Sequence, residues 1–114
     1  MSVYENLVFE LTSPKLMDLP LHWQVIYFEG VRSNHILFTK EDVASFRRKS
    51  ALEQVTAEDL ERVSNQILSI YQASSISAMK EIIQACPTKD RYALFVYYNR
   101  QLSQFSDHLK KVLS

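Results

Sequence analysis

The sequence predicts an α+β domain: two or three short antiparallel strands, at about 3–11, 23–29 and 35–39, followed by three or four helices that end in an α-hairpin. Three observations carry this expectation. The N-terminal residues alternate apolar and polar, two β-branched and aromatic runs flank the single glycine, and helix-start signals recur after residue 39. An all-α helical bundle is the alternative, and the choice turns on residues 20–30.

In the first strand Val3, Leu7, Phe9 and Leu11 fall on odd positions, with Tyr4, Asn6 and Glu10 between them, which suits an edge strand. Ser13-Pro14 has the form of an N-cap followed by proline at the first helical position, but Pro20 limits what it starts to about one turn. The runs His22 to Glu29 and His35 to Thr39 are then joined by a Gly-containing loop, Gly30 to Asn34, and read as a hairpin. The rival is a helix from Pro20 to a C-cap at Gly30, because Trp23, Ile26, Tyr27 and Gly30 share a helical face.

Thr39 before Lys40-Glu41-Asp42 places a hydroxyl at an N-cap and carboxylates in the first turn, where free amides and the helix dipole favour them. A helix over about 40–50 follows, with Val43 and Phe46 inward and Arg47, Arg48 and Lys49 at its C-terminus. Thr56-Ala57-Glu58-Asp59 repeats the signal and opens a helix with Leu60, Val63, Ile67 and Ile70 on one face, continuing through Tyr71. The small polar residues from Ala73 to Ser77 either cap a new helix or form the weak middle of a continuous one. Cys86-Pro87-Thr88 marks a sharp corner. The last helix, about 88–112, carries Phe95, Tyr98, Leu102, Phe105, Leu109 and Val112 at alternating spacings of three and four, a seam of heptad type that folds back on 57–85.

A chain of 114 residues, 46% of them apolar and 11% aromatic, can bury a sizeable core and fits a single globular domain over 1–114. Disorder is excluded as a default. Lys and Arg number 13 and Asp and Glu number 13, so no bulk charge draws the protein to phosphate. The zero conceals an asymmetry. Residues 1–42 hold six acids and three bases, whereas residues 63–114 hold three acids and six bases, so the two ends should attract one another within or between chains. No signal or transit peptide is read at the N-terminus, no apolar run approaches the roughly 20 residues of a membrane span, and the lone Cys86 suits a reducing compartment. The expected location is cytoplasmic, with no membrane partner.

Candidates for chemistry are few. His22, His35, His108 and Cys86 sit in no catalytic motif, and a metal site would need Glu29 or Asp42 to converge on His22 and His35. A single glycine cannot build a multi-glycine phosphate loop. The carboxylate pairs Glu41-Asp42 and Glu58-Asp59 are explained by helix starts. No catalytic, cofactor-binding or metal-binding residue is assigned, and no cofactor is expected.

The leading functional expectation is therefore a small non-enzymatic protein–protein interaction module, self-associating as a homodimer or serving as an accessory or regulatory subunit. Its expected contact residues are Phe95, Tyr98, Leu102, Phe105 and Leu109. The first alternative is a nucleic-acid-binding regulatory protein using Arg47, Arg48, Lys49 and Arg62, although a solvated helix face explains these bases better. The second is a ligand-binding domain or enzyme with a pocket near His22, Tyr27, His35 and Cys86.

Overall fold

The computed structural model describes residues 21–113, with side chains through residue 111. Among the described residues there are six helices and no strand: α1 (Leu21–Val31), α2 (Lys40–Ser50), α3 (Ala57–Arg62), α4 (Ser64–Gln72), α5 (Ile76–Gln84) and α6 (Thr88–Leu113). The described residues form an all-α architecture, which overturns the α+β expectation at 23–29 and 35–39. The strand expected at 3–11 lies outside the described residues.

The strand expected at 23–29 is the body of α1, and the one expected at 35–39 is a turn leading into α2. Local preference was overridden by packing. Trp23, Ile26, Tyr27 and Gly30 form one helical face and all four are buried, because α6 offers that face an aromatic surface to cover. Tyr27 stacks on Tyr98 and Phe105, with ring centroids 6.3 and 5.4 Å apart. Helix α1 does not end at Gly30. It ends in a Schellman turn in which Asn34 N–H donates to the Glu29 carbonyl at 2.8 Å and Ser33 N–H to the Gly30 carbonyl at 2.9 Å. The residue in the left-handed conformation is Ser33, with φ 68°.

The start signals operate as local chemistry dictates. Thr39 Oγ1 accepts from Asp42 N–H at 3.1 Å and caps α2. Thr56 and Asp59 form a full capping box on α3. Ser75 Oγ accepts from Ala78 N–H at 3.1 Å, so the segment 73–77 caps a new helix. Such caps contribute about 1 kcal/mol each. The helix expected to run unbroken from 57 through Tyr71 is kinked at Val63, whose φ of −96° and ψ of 9° leave the helical region. Leu60, Val63, Ile67 and Ile70 are nevertheless all buried, since the kink keeps both segments against the core.

Helix α6 is the central element, packed against α1, α2, α3 and α5. Its buried surface is wider than a heptad stripe and includes Tyr92, Leu94, Phe95, Tyr97, Tyr98, Gln101 and Phe105. Arg91 near its start ties three parts of the chain together. Its Nε donates to Asp42 Oδ2 at 3.1 Å and its Nη1 to the Cys86 carbonyl at 3.0 Å, joining the first turn of α2 to the corner at Pro87.

Candidate functional site

Between the end of α1, the outer face of α2 and α5 lies an open groove of about 590 Å³. Each wall follows from local structure. The Schellman turn projects Ser33 and Asn34, and Asn34 Nδ2 donates to Glu29 Oε2 at 3.0 Å, holding the loop against α1. The Phe38 N–H then donates to the His35 carbonyl at 3.2 Å, closing a turn whose Leu37 and Phe38 side chains are buried. Phe38 meets Phe95 edge to face at 5.2 Å, so the loop carrying His35 is anchored in the core. Lys40, Val43, Ala44 and Arg47 line the second wall because the spacings i, i+3, i+4 and i+7 fall on one helical face. Lys80 of α5 lines the third.

His35 is the best-defined group of this groove. Arg47 Nη2 stands 2.8 Å from His35 Nε2, and His35 Nδ1 stands 2.7 Å from Tyr98 Oη. A guanidinium only donates, so Nε2 supplies the lone pair and the ring is neutral, with its proton on Nδ1 donated to Tyr98 Oη. Burial first, and the Arg47 cation second, hold the imidazole below its ordinary value. Burial also pushes the Tyr98 phenol well up, against a smaller opposing effect of Arg47. Both groups are therefore neutral near pH 7. The cations Lys40, Arg47 and Lys80 line the groove, and among the described residues no Asp or Glu does.

The other sequence candidates are distributed as follows. Phe95, Tyr98 and Phe105 are buried in the chain's own core, and Leu102 and Leu109 are partly buried against it. The seam is thus covered from within. The four bases of the nucleic-acid alternative do not form one patch of free charge. Arg62 is bound to Asp59 at 2.8 Å and Asp90 at 3.1 Å. Lys49 pairs with Glu53 at 3.6 Å and lies 4.8 Å from the centre of the Tyr92 ring. Arg47 belongs to the groove, and Arg48 is exposed.

Cys86 is buried, and its thiol donates to the Ile82 carbonyl at 3.3 Å. Burial, and secondarily the Asp90 carboxylate, push the thiol up, away from a reactive thiolate. Among the described residues no cluster of three His, Cys, Asp or Glu side chains could hold a metal ion. His22 opens α1 while His35 lies beyond its end. The apolar cleft bounded by Trp23, Tyr27, Tyr71 and Tyr98 encloses about 30 Å³, roughly the space of one water molecule and far below the few hundred Å³ of a ligand pocket. Among the described residues no helix is long and apolar enough to cross a membrane.

Sequence reasoning singled out His35 and Arg47 separately but missed Lys40 and Lys80 as their companions. The spacing from Lys40 to Arg47 is a legible signal once α2 is placed. Nothing local marks Lys80, which reaches the groove only through the packing of α5. No protein-family model, curated protein or solved structure matches this chain.

Proposed function

We propose that this protein is a non-enzymatic binding module that recognises an anionic group in the groove beside His35. The observation that supports this reading is the convergence of Lys40, Arg47 and Lys80 on one concavity with no carboxylate among its described lining residues. Cations lining a concave wall raise the local positive potential, and the wall focuses their field. The catalytic alternative has less support, because both ring nitrogens of His35 are engaged, by Tyr98 and by Arg47, which leaves it no free lone pair with which to activate the Ser33 or Thr39 hydroxyl. A continuous nucleic-acid surface has less support too, since Arg62 and Lys49 are committed to carboxylates.

The test is titration of the ¹⁵N-labelled protein with inorganic phosphate, sulfate and a short oligonucleotide. Phosphate or sulfate should shift the amides of residues 33–40, 47 and 80, and Lys80→Ala should weaken binding by about three- to tenfold. A steep salt dependence for the oligonucleotide, with no response to small anions, would favour an extended nucleic-acid surface instead. No saturable response to any of the three would remove the reading.

A second reading, binding of a protein partner, is favoured by one observation. Helix α1 keeps Leu21, Val25, Phe28 and Val31 on its outer side with relative exposures of 74, 40, 42 and 43%, an apolar stripe of the kind that marks contact surfaces. Light scattering of the Val25→Ser variant against the parent chain tests it. A mass above the monomer that falls in the variant supports self-association, and a monomer in both counts against it.

A further inference from the structure

In the free protein Arg47 and His35 spend their groove-side groups on one another, with Nη2 donating to Nε2 at 2.8 Å. An anion entering the groove competes for that guanidinium. If Arg47 turns to the anion, the Nε2 lone pair is left facing the anion's own lone pairs, a repulsive contact that a proton on Nε2 converts into a charge-assisted hydrogen bond. The other ring nitrogen cannot serve, because Nδ1 is committed to Tyr98 Oη at 2.7 Å. That bond is compatible with both ring states, since Nδ1 is the donor in each.

The count of charges narrows the ligand. Lys40, Arg47 and Lys80 line the groove, and a protonated His35 adds a fourth donor. A carboxylate offers one charge and two oxygens, whereas a phosphate monoester carries up to two charges and three strong acceptor oxygens near neutral pH. The groove volume of about 590 Å³ exceeds what a bare oxyanion needs, and Ile36 and Val43 supply apolar wall for an organic substituent. We infer that the groove takes a phosphate monoester and that binding places a proton on His35 Nε2, with Arg47, Lys40 and Lys80 holding the phosphoryl oxygens. This rests on the anion-binding reading above. The proton comes from solvent or from the ester's own monoanion, so no bond other than an O–H or N–H is made or broken.

The groups that bear on this proton are Arg47 and Lys40 of α2, Lys80 of α5 and Tyr98 of α6, whose ring is stacked on Tyr27 of α1. Glu29 of α1 and Glu41 of α2 each lie six residues from His35 along the chain, neither lines the groove, and Glu29 is held by Asn34 and by Arg32 at 3.6 Å. Burial and the Arg47 cation oppose protonation in the free protein, and a dianion reverses that balance.

Phenyl phosphate is the probe, with inorganic phosphate, phenyl sulfate and acetate as comparisons, and the readout is the pH titration of the His35 Cε1–H resonance. Saturating phenyl phosphate should raise the His35 midpoint by about one pH unit or more, and phenyl phosphate should bind more tightly than the other three. His35→Asn, which keeps a donor toward Tyr98 but cannot protonate, should weaken phenyl phosphate binding at least fivefold. Should that variant fail to fold, Lys80→Ala, on an exposed position of α5, should still weaken phenyl phosphate more than acetate. Phenyl phosphate binding with an unmoved His35 midpoint would overturn the proton uptake while leaving the anion site standing. Equal or tighter binding of inorganic phosphate, phenyl sulfate or acetate would overturn the ligand class, and no binding of any anion would overturn this inference together with the reading beneath it.

Discussion

Gly30 of α1 and Leu102 of α6 approach so closely that a Cβ on the glycine would stand 2.9 Å from Leu102 Cδ1 and overlap the Tyr98 hydroxyl. A larger residue at this position would force the ends of the Tyr98 and Leu102 side chains to shift, and the glycine is used for space rather than for an unusual backbone conformation. The same crossing sets the height of Tyr98, and through it the position of His35.

Gly30→Ala should therefore destabilise the protein by about 1–3 kcal/mol, despite the gain of about 1 kcal/mol that alanine brings to an unconstrained helix interior. Urea unfolding checks the sign. A stabilised variant would mean that α1 and α6 can separate at no cost. The His35 resonances should also shift, because the added methyl displaces the phenol to which Nδ1 donates.

Ser33, not a glycine, holds the left-handed position that closes α1, with φ 68°. That conformation costs an L-residue about 1–2 kcal/mol, partly offset for glycine by its freer unfolded chain. Ser33→Gly should raise stability by about 0.5–1 kcal/mol. A lower denaturation midpoint would show that the serine side chain contributes more than the strain it bears.

The Asp59 carboxyl is held down to about 2 from an ordinary 3.8, first by the Arg62 hydrogen bond and then by the Thr56 backbone and hydroxyl. Because the folded value is the lower one, the unfolded chain takes up the proton first as pH falls. The contribution is full above the ordinary carboxylate range and is lost as pH drops from about 4 toward 2. Carbon-detected titration of Asp59 should find the low midpoint, and Arg62→Ala should bring it back toward the ordinary value. An unchanged midpoint in that variant would assign the effect to the capping box alone.

Phe105 is fully buried between Tyr27 and Phe28, with ring centroids 5.4 and 5.2 Å away. Phe105→Ala should cost about 3–5 kcal/mol of monomer stability. Retained stability with loss of an oligomer would instead make this ring an interface residue. Calorimetry together with solution mass distinguishes the two.

Much of the helical framework is written locally and was legible in the residues. Thr39, Thr56 and Pro87 act on groups within four positions of themselves, so their effects do not wait for the rest of the chain. The alternating spacings from Phe95 to Val112 likewise specify a long helix, observed over Thr88–Leu113. What local chemistry could not decide is residues 21–39. Helix α1 is apolar on its buried and its exposed sides alike, so its sequence carries neither a clear 3.6-residue nor a clear two-residue period, and β-branched content then points to strands.

Only contact with the aromatic face of α6 makes the helix the better solution there, and only that contact gives Gly30 its role. The direction of the seam was also a tertiary matter, because a stripe of Phe, Tyr and Leu reads the same whether its partner is another chain or its own. The groove is the extreme case. His35, Lys40 and Arg47 lie within one short stretch, but Lys80 joins them from more than thirty residues away. Charge shared across that distance in the chain exists only once the helices have packed, since no local rule relates the rotation of α5 to that of α2.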